Sequence, residues 1–149
     1  MQWSAGVGPP GRTIPRSQSD EDTMNFPDNL KYTNDHEWIR VEGDTGWVGI
    51  TDYAQGELGD VVFVELPAVG TKVAQGKSFG TIEAVKAVSD IFAPVSGEVL
   101  EANKDVQTSP DAVNKDPYGK GWMIKMRIGN PGELAGLLDV NAYKKIVAK

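Results

Sequence analysis

Residues 80–99 read GTIEAVKAVSDIFAPVSGEV, and how their centre around Lys86 is read decides the fold. Glu83 and Lys86 stand at i, i+3, and Ile82, Val85, Val88 and Ile91 recur every three residues, which suits an amphipathic helix. Two β-type runs oppose it: KSFGTIEAV (77–85) and AVSDIFAP (87–94) flank the lysine and leave no room for the two or three turns such a helix needs. A hairpin tip is therefore favoured. No Asn-Gly or Asp-Gly marks the turn, however, so the residues alone keep both readings open, with a solvated lysine on a surface turn as the plain role.

Outward from this stretch the chain consists of short β-type runs punctuated by glycine. EWIRVEGDTGWVGIT (37–51) reads as a hairpin around Gly43-Asp44, and DVVFVELPAVG (60–70) as a strand closed by Pro67 and Gly70. GEVLEAN (97–103) and GWMIKMRI (121–128) add two more. Gly59-Asp60-Val61-Val62 and Gly97-Glu98-Val99-Leu100 open their strands alike on opposite sides of Lys86, a faint echo of two halves. Three short helices are predicted: YAQGELG (53–59) capped by Thr51 or Asp52, PGELAGLL (131–138), and VNAYKKIVAK (140–149) capped by Asp139. The fold class is mainly β, a flattened barrel or sandwich with short peripheral helices and a C-terminal helix. Trp38, Trp47, Phe63 and Trp122 are expected in the core, and NKDPYGKGW (114–122) is expected to be a turn-rich packing loop.

Residues 1–23 carry glycines, prolines, serines and Asp20-Glu21-Asp22 without an apolar core, and predict a disordered N-terminal extension. A mitochondrial transit peptide is the alternative, supported by two arginines and opposed by the acidic triplet. Residues 24–149, opening on Met24, form the expected domain. With no cysteine, the chain has no thiolate, dithiol or sulfur-ligated metal of its own, and its single histidine, His36, argues against a histidine metal site or triad. A net charge of −6 disfavours a nucleic-acid partner, and no apolar run approaches a membrane span.

Residues 80–99 resemble the lipoyl-attachment hairpin of glycine cleavage system H proteins. LKYTNDHEW (30–38), GITDYAQGELGDVVFVELP (49–67) and DPYGKGWMIKM (116–126) extend the resemblance over nearly all of 24–149. The hairpin alone would also fit biotinyl carriers, which typically place methionine on both sides of the lysine, or oxo-acid dehydrogenase lipoyl domains, which typically have aspartate before it. This chain has Val85 and Ala87 there.

The resemblance implies a lipoyl-type fold and a monomeric carrier rather than an enzyme. Lys86 would be acylated with lipoic acid by a lipoate ligase or lipoyltransferase. The arm would take an aminomethyl group at glycine decarboxylase, a pyridoxal phosphate enzyme, and pass its carbon to tetrahydrofolate at aminomethyltransferase. Dihydrolipoamide dehydrogenase would then reoxidise it. The implied place is the cytoplasm, with the mitochondrial matrix as alternative. A relay handing lipoyl groups to other lipoyl proteins would use the same Lys86. A Schiff-base role would need a buried lysine, which an exposed tip does not offer.

Glu83 and Gly70 match positions that the family's lipoylating enzyme senses, although turn chemistry alone accounts for a glycine after Pro67. Glu37, Asp90 and Asp35 match a cleft in which the loaded arm rests, and His36 beside them is given no catalytic role. Asp35 stands where some members have serine, and Tyr53 where some have histidine.

Overall fold

The computed structural model describes residues 26–147. The expected extension over 1–23 and the start at Met24 lie outside the described residues. Nine strands are described: β1 (Lys31–Tyr32), β2 (Glu37–Glu42), β3 (Thr45–Ile50), β4 (Val61–Glu65), β5 (Lys72–Val73), β6 (Ser78–Ala84), β7 (Val88–Phe92), β8 (Gly97–Ala102) and β9 (Ile124–Ile128). They make a six-stranded sheet, β1-β2-β3-β9-β8-β5, and a three-stranded sheet, β4-β6-β7, antiparallel throughout. One apolar core joins the two, with Ile39, Val48, Val99 and Met126 from the first and Val64, Phe79, Ile82 and Ile91 from the second. This is the sandwich form of the expected mainly β fold.

The helices are α1 (Asp52–Leu58), α2 (Lys104–Thr108), α3 (Ala112–Lys115) and α4 (Val140–Val147), with a 3-10 helix over Pro131–Gly136 where PGELAGLL was expected to be helical. Thr51 caps α1 by accepting the Ala54 amide, and Asp139 accepts that of Ala142 at the start of α4. β1, β5, α2 and α3 were not expected. Two to five residues carry no readable period, and α2 is set by Asn103, whose side chain accepts the Asp105 amide. None of the helices described is long and apolar enough to cross a membrane.

A second cluster lies under α4. Leu30, Tyr32, Trp38 and Tyr143 are buried there, with Val140 and Val147 packed against them, so one stripe of the helix docks on β1 and β2. Tyr143 stacks on Tyr32 with ring centroids 4.6 Å apart. The Trp38 indole donates to the carbonyls of Ile50 and Pro117, which holds the 114–122 loop in the packing role expected of it.

Of the other expected core aromatics, Trp47 and Trp122 are half-buried against this second cluster, with Arg40 and Lys125 4.6 and 5.3 Å from the Trp47 ring centroid. Phe63 is 51% exposed. A bulge between Val61 and Phe63 breaks the alternation of β4 and turns Val62 and Phe63 outward together.

Candidate functional site

The lysine sits where two strands meet. β6 and β7 pair as far as Glu83 and Val88, and the Ala84 amide closes the turn on the Ala87 carbonyl at 2.7 Å. The Val85 amide turns away and donates to the Asp60 carbonyl at 3.0 Å, so the tip is also held from the start of β4. Val85, Lys86, Ala87 and Val88 are all exposed. The hairpin reading holds and the helix reading falls, because the missing turn dipeptide is replaced by a bond from another part of the chain.

Below the tip lies Gly59, with φ +81°, a conformation that side-chain-bearing residues rarely adopt. A Cβ there would stand 3.4 Å from Cε of Lys86, so the lysine stem rests across the glycine. Asn114 fixes this segment. Its side-chain oxygen accepts the Val61 amide, and its NH2 donates to the Gly59 carbonyl and to Gln55 of α1, each at 2.9 Å. The loop reading of 114–122 gave no sign of this role, because the partners lie more than fifty residues away.

The two expected recognition residues are not together. Glu83 lies three residues before Lys86 on the exposed face of β6, paired with Phe63 on one side and Val88 on the other. Gly70 lies beyond the far end of β4, since Glu65 already pairs with Thr81 and the chain continues away from the tip. Its φ is +92° and its amide donates to the Val99 carbonyl, which makes it a turn glycine in this geometry.

The three expected cleft acids do share one depression, about 270 Å³, between α1 and the β6–β7 hairpin. Asp35, Glu37, Glu57 and Asp90 bring carboxyl groups to it, while Ile50, Ala54, Leu58 and Ile82 are its apolar lining. Among the described residues, no lysine or arginine lines it. Glu57, which was not singled out from the sequence, arrives from α1.

Glu37 is the buried member, 2% exposed. The Thr33 hydroxyl donates to one carboxyl oxygen at 2.6 Å and the Phe92 amide to the other at 3.1 Å. Burial outweighs these two bonds and pushes its pKa up to about 7, with the nearby Asp35 charge acting in the same direction.

His36 enters the cleft wall on a left-handed backbone, φ +72°, which costs an imidazole-bearing residue about 1–3 kcal/mol. Its Nδ1 lies 2.8 Å from the Tyr143 hydroxyl and its ring 4.8 Å from that of Tyr53, centroid to centroid. Burial lowers its pKa, so the ring is neutral near pH 7. The Tyr143 hydroxyl also meets the Thr51 hydroxyl at 2.7 Å.

The arrangement offers a protruding amine on a stiff hairpin and, beside it, a cation-attracting pocket. Asp90 lies on β7 four residues beyond Lys86, a separation of at most roughly 13 Å at strand rise. An acyl arm of about ten bonds counted from the lysine Cα spans a comparable ~12–14 Å.

Residues 30–149 match the family model described as Glycine cleavage H-protein. A protein of Bacteroides thetaiotaomicron called glycine cleavage system H protein is 59% identical over 124 residues, covering 83% of this chain and 98% of the relative. One of the same description from Carboxydothermus hydrogenoformans is 56% identical over 121 residues, covering 81% and 93%. Among solved structures, the crystal structure of a glycine cleavage system H protein from Mycobacterium marinum is similar with a TM-score of 0.74 at 38% identity, covering 83% of this chain and all of that one.

Proposed function

The chain belongs to the glycine cleavage H-protein family, whose members are carriers rather than catalysts, and from that premise we propose that Lys86 is its lipoyl attachment site. The observation that carries the proposal is the placement of Lys86 at the exposed tip of a hairpin braced by Asp60 and Gly59. An exposed ammonium is a poor nucleophile, so a lipoate ligase or lipoyltransferase must acylate it. Lipoate supplies the redox-active sulfur pair that a cysteine-free chain lacks.

The residues fit such a group on two grounds. Lys86 is exposed at the tip, and the acid-lined cleft lies within arm's length of it. Glu37, with Asp90 and Asp35, holds the cationic amine of the cargo there, and the apolar lining keeps water from the adjacent carbon. Charge-assisted bonds of this kind contribute roughly 1.5–3 kcal/mol each when partly buried. The cargo passes from glycine decarboxylase to aminomethyltransferase, and dihydrolipoamide dehydrogenase reoxidises the carrier. Glu83 is read as part of the ligase's footprint. Gly70 is kept in that footprint on the family match alone. Residues 24–149 act as the carrier domain.

Incubation with lipoate ligase, ATP and lipoate, followed by intact mass and peptide mapping, tests the site. One lipoyl group on Lys86 is expected, with none on Lys86→Arg. Lipoyl mass on another lysine, or full acceptance by Lys86→Arg, overturns it. Glycine–bicarbonate exchange with purified decarboxylase then tests the carrier role.

A further inference from the structure

We propose that Tyr143, from the C-terminal helix α4, fixes the tautomer of His36 so that the ring presents an Nε2–H donor to the sulfur end of the lipoyl arm. The inference rests on the cleft reading above and adds to it a residue that faces the sulfur rather than the amine.

The proton order follows from burial. Thr51 and Tyr143 are both fully buried, so each hydroxyl proton needs an acceptor inside the protein. The Thr51 oxygen already accepts the Ala54 amide, and its other partner is the Tyr143 hydroxyl. The Thr51 proton therefore goes to the Tyr143 oxygen. The Tyr143 proton must then go to its remaining partner, Nδ1 of His36. With Nδ1 accepting, the neutral ring carries its proton on Nε2. The opposite order, Nδ1–H to Tyr143 to Thr51, leaves the buried Thr51 proton without an acceptor. Burial, which keeps the ring neutral, acts together with this order.

Because Nδ1 is committed to Tyr143, only the Nε2 edge remains for the cleft that His36 lines. In the unloaded carrier the carboxyls of Asp35 and Glu57, whose charges act on the ring, are the acceptors the cleft offers to Nε2–H. The ammonium of a loaded arm draws those carboxyls to itself, and the donor is left for an acceptor close to that amine. Glu37, which takes the amine, is the neighbour of His36, and in the loaded arm a sulfur stands two bonds from the amine while the amide lies some ten bonds away. The sulfur end is what reaches the ring.

His36 is the only histidine in the chain, so a long-range proton–nitrogen spectrum of 15N-labelled protein reports on it without ambiguity. Two results are expected: in the unmodified carrier at pH 7.5, Nε2 is pyrrole-like and Nδ1 pyridine-like, and in Tyr143→Phe the two signals move toward averaged tautomers. Thr51→Val, which removes the ordering proton and keeps Tyr143, gives the same averaging should Tyr143→Phe fold poorly. Carriers bearing octanoyl and aminomethyl-loaded lipoyl groups are then compared. The Nε2–H signal shifts and exchanges more slowly with the loaded lipoyl arm and is unmoved by octanoyl, which has the amide and no sulfur. A wild-type Nδ1–H tautomer, unchanged spectra in both variants, or an equal shift with octanoyl overturns the inference. The cleft reading fails separately, if Glu37→Gln leaves the cargo's ammonia release unaltered.

Discussion

The side-chain amide of Asn114 donates to the carbonyl of Gly59 at 2.9 Å, while its oxygen takes the Val61 amide, so one residue of α3 clamps the loop on which the Lys86 stem rests. Asn114→Ala leaves two backbone groups without these partners, at a cost of about 1–3 kcal/mol. The expected results are a lowered melting temperature and, at temperatures where the variant is folded, a several-fold rise in the ligase KM with kcat nearly unchanged. Steady-state lipoylation with mass detection checks it. An unchanged KM would mean that the clamp serves stability alone.

Glu37 makes stability depend on pH. Its folded pKa of about 7 lies above the ordinary 4.5, so between these values the folded state binds more protons than the unfolded one. Stability therefore falls as pH rises from about 4.5 to 7, by on the order of 3 kcal/mol for this group. Glu37→Gln removes that contribution, and the variant's melting temperature relative to wild type should climb between pH 5 and pH 7.5. Parallel melting curves across that range would refute it.

The same substitution tests the cargo. Glu37→Gln should accept lipoate and be reoxidised normally, yet the aminomethyl-loaded variant should release ammonia several-fold faster in the absence of folate and aminomethyltransferase. Losing one charge-assisted bond of roughly 1.5–3 kcal/mol sets an upper limit near tenfold to a hundredfold. Equal release rates from equal starting loads would return these acids to a solvated role.

Glu83 projects from the exposed face of β6 between Phe63 and Val88. Glu83→Ala should slow ligation while changing stability by less than ~0.5 kcal/mol, as exposed substitutions normally do. Unchanged ligation kinetics would remove Glu83 from the footprint.

Ending the chain at Asp139 removes Tyr143 from its stack on Tyr32 and uncovers the second cluster. By analogy with truncating a buried aromatic, the loss is about 3–5 kcal/mol, with a melting temperature lower by roughly 10 °C or more. Calorimetry checks it, and an unmoved transition would show that α4 is dispensable.

The strands with clear runs and glycine boundaries, β2, β3, β6, β7, β8 and β9, were legible because alternation and turn chemistry coincide there. β4 was legible as a strand and not in its facing, since a bulge invisible to pattern reading put Phe63 outside. The carboxyls of the cleft were found by resemblance, and spacing alone would not have gathered Asp35, Glu37 and Asp90. The Tyr143–His36 contact spans 107 residues, and Asn114 reaches back 55 to Gly59. Such links are products of the finished fold, so no local period announces them. His36 combines left-handed backbone with a ring held by Tyr143, and neither property leaves a mark in the letters.

The bond from the Val85 amide to the Asp60 carbonyl has a consequence for portability. Lys86 is presented by two stretches of chain that meet only after folding. A two-stranded hairpin alone is marginal in water, and a peptide of residues 80–99 also lacks Asp60, Gly59 and Asn114. If Lys86 is acylated as proposed, the address read by the modifying enzyme is therefore conformational rather than linear. Grafted onto an unrelated protein as a tag, those twenty residues would carry the lysine without its bracing and be a poor acceptor, whereas the intact domain fused elsewhere would keep its acceptor quality.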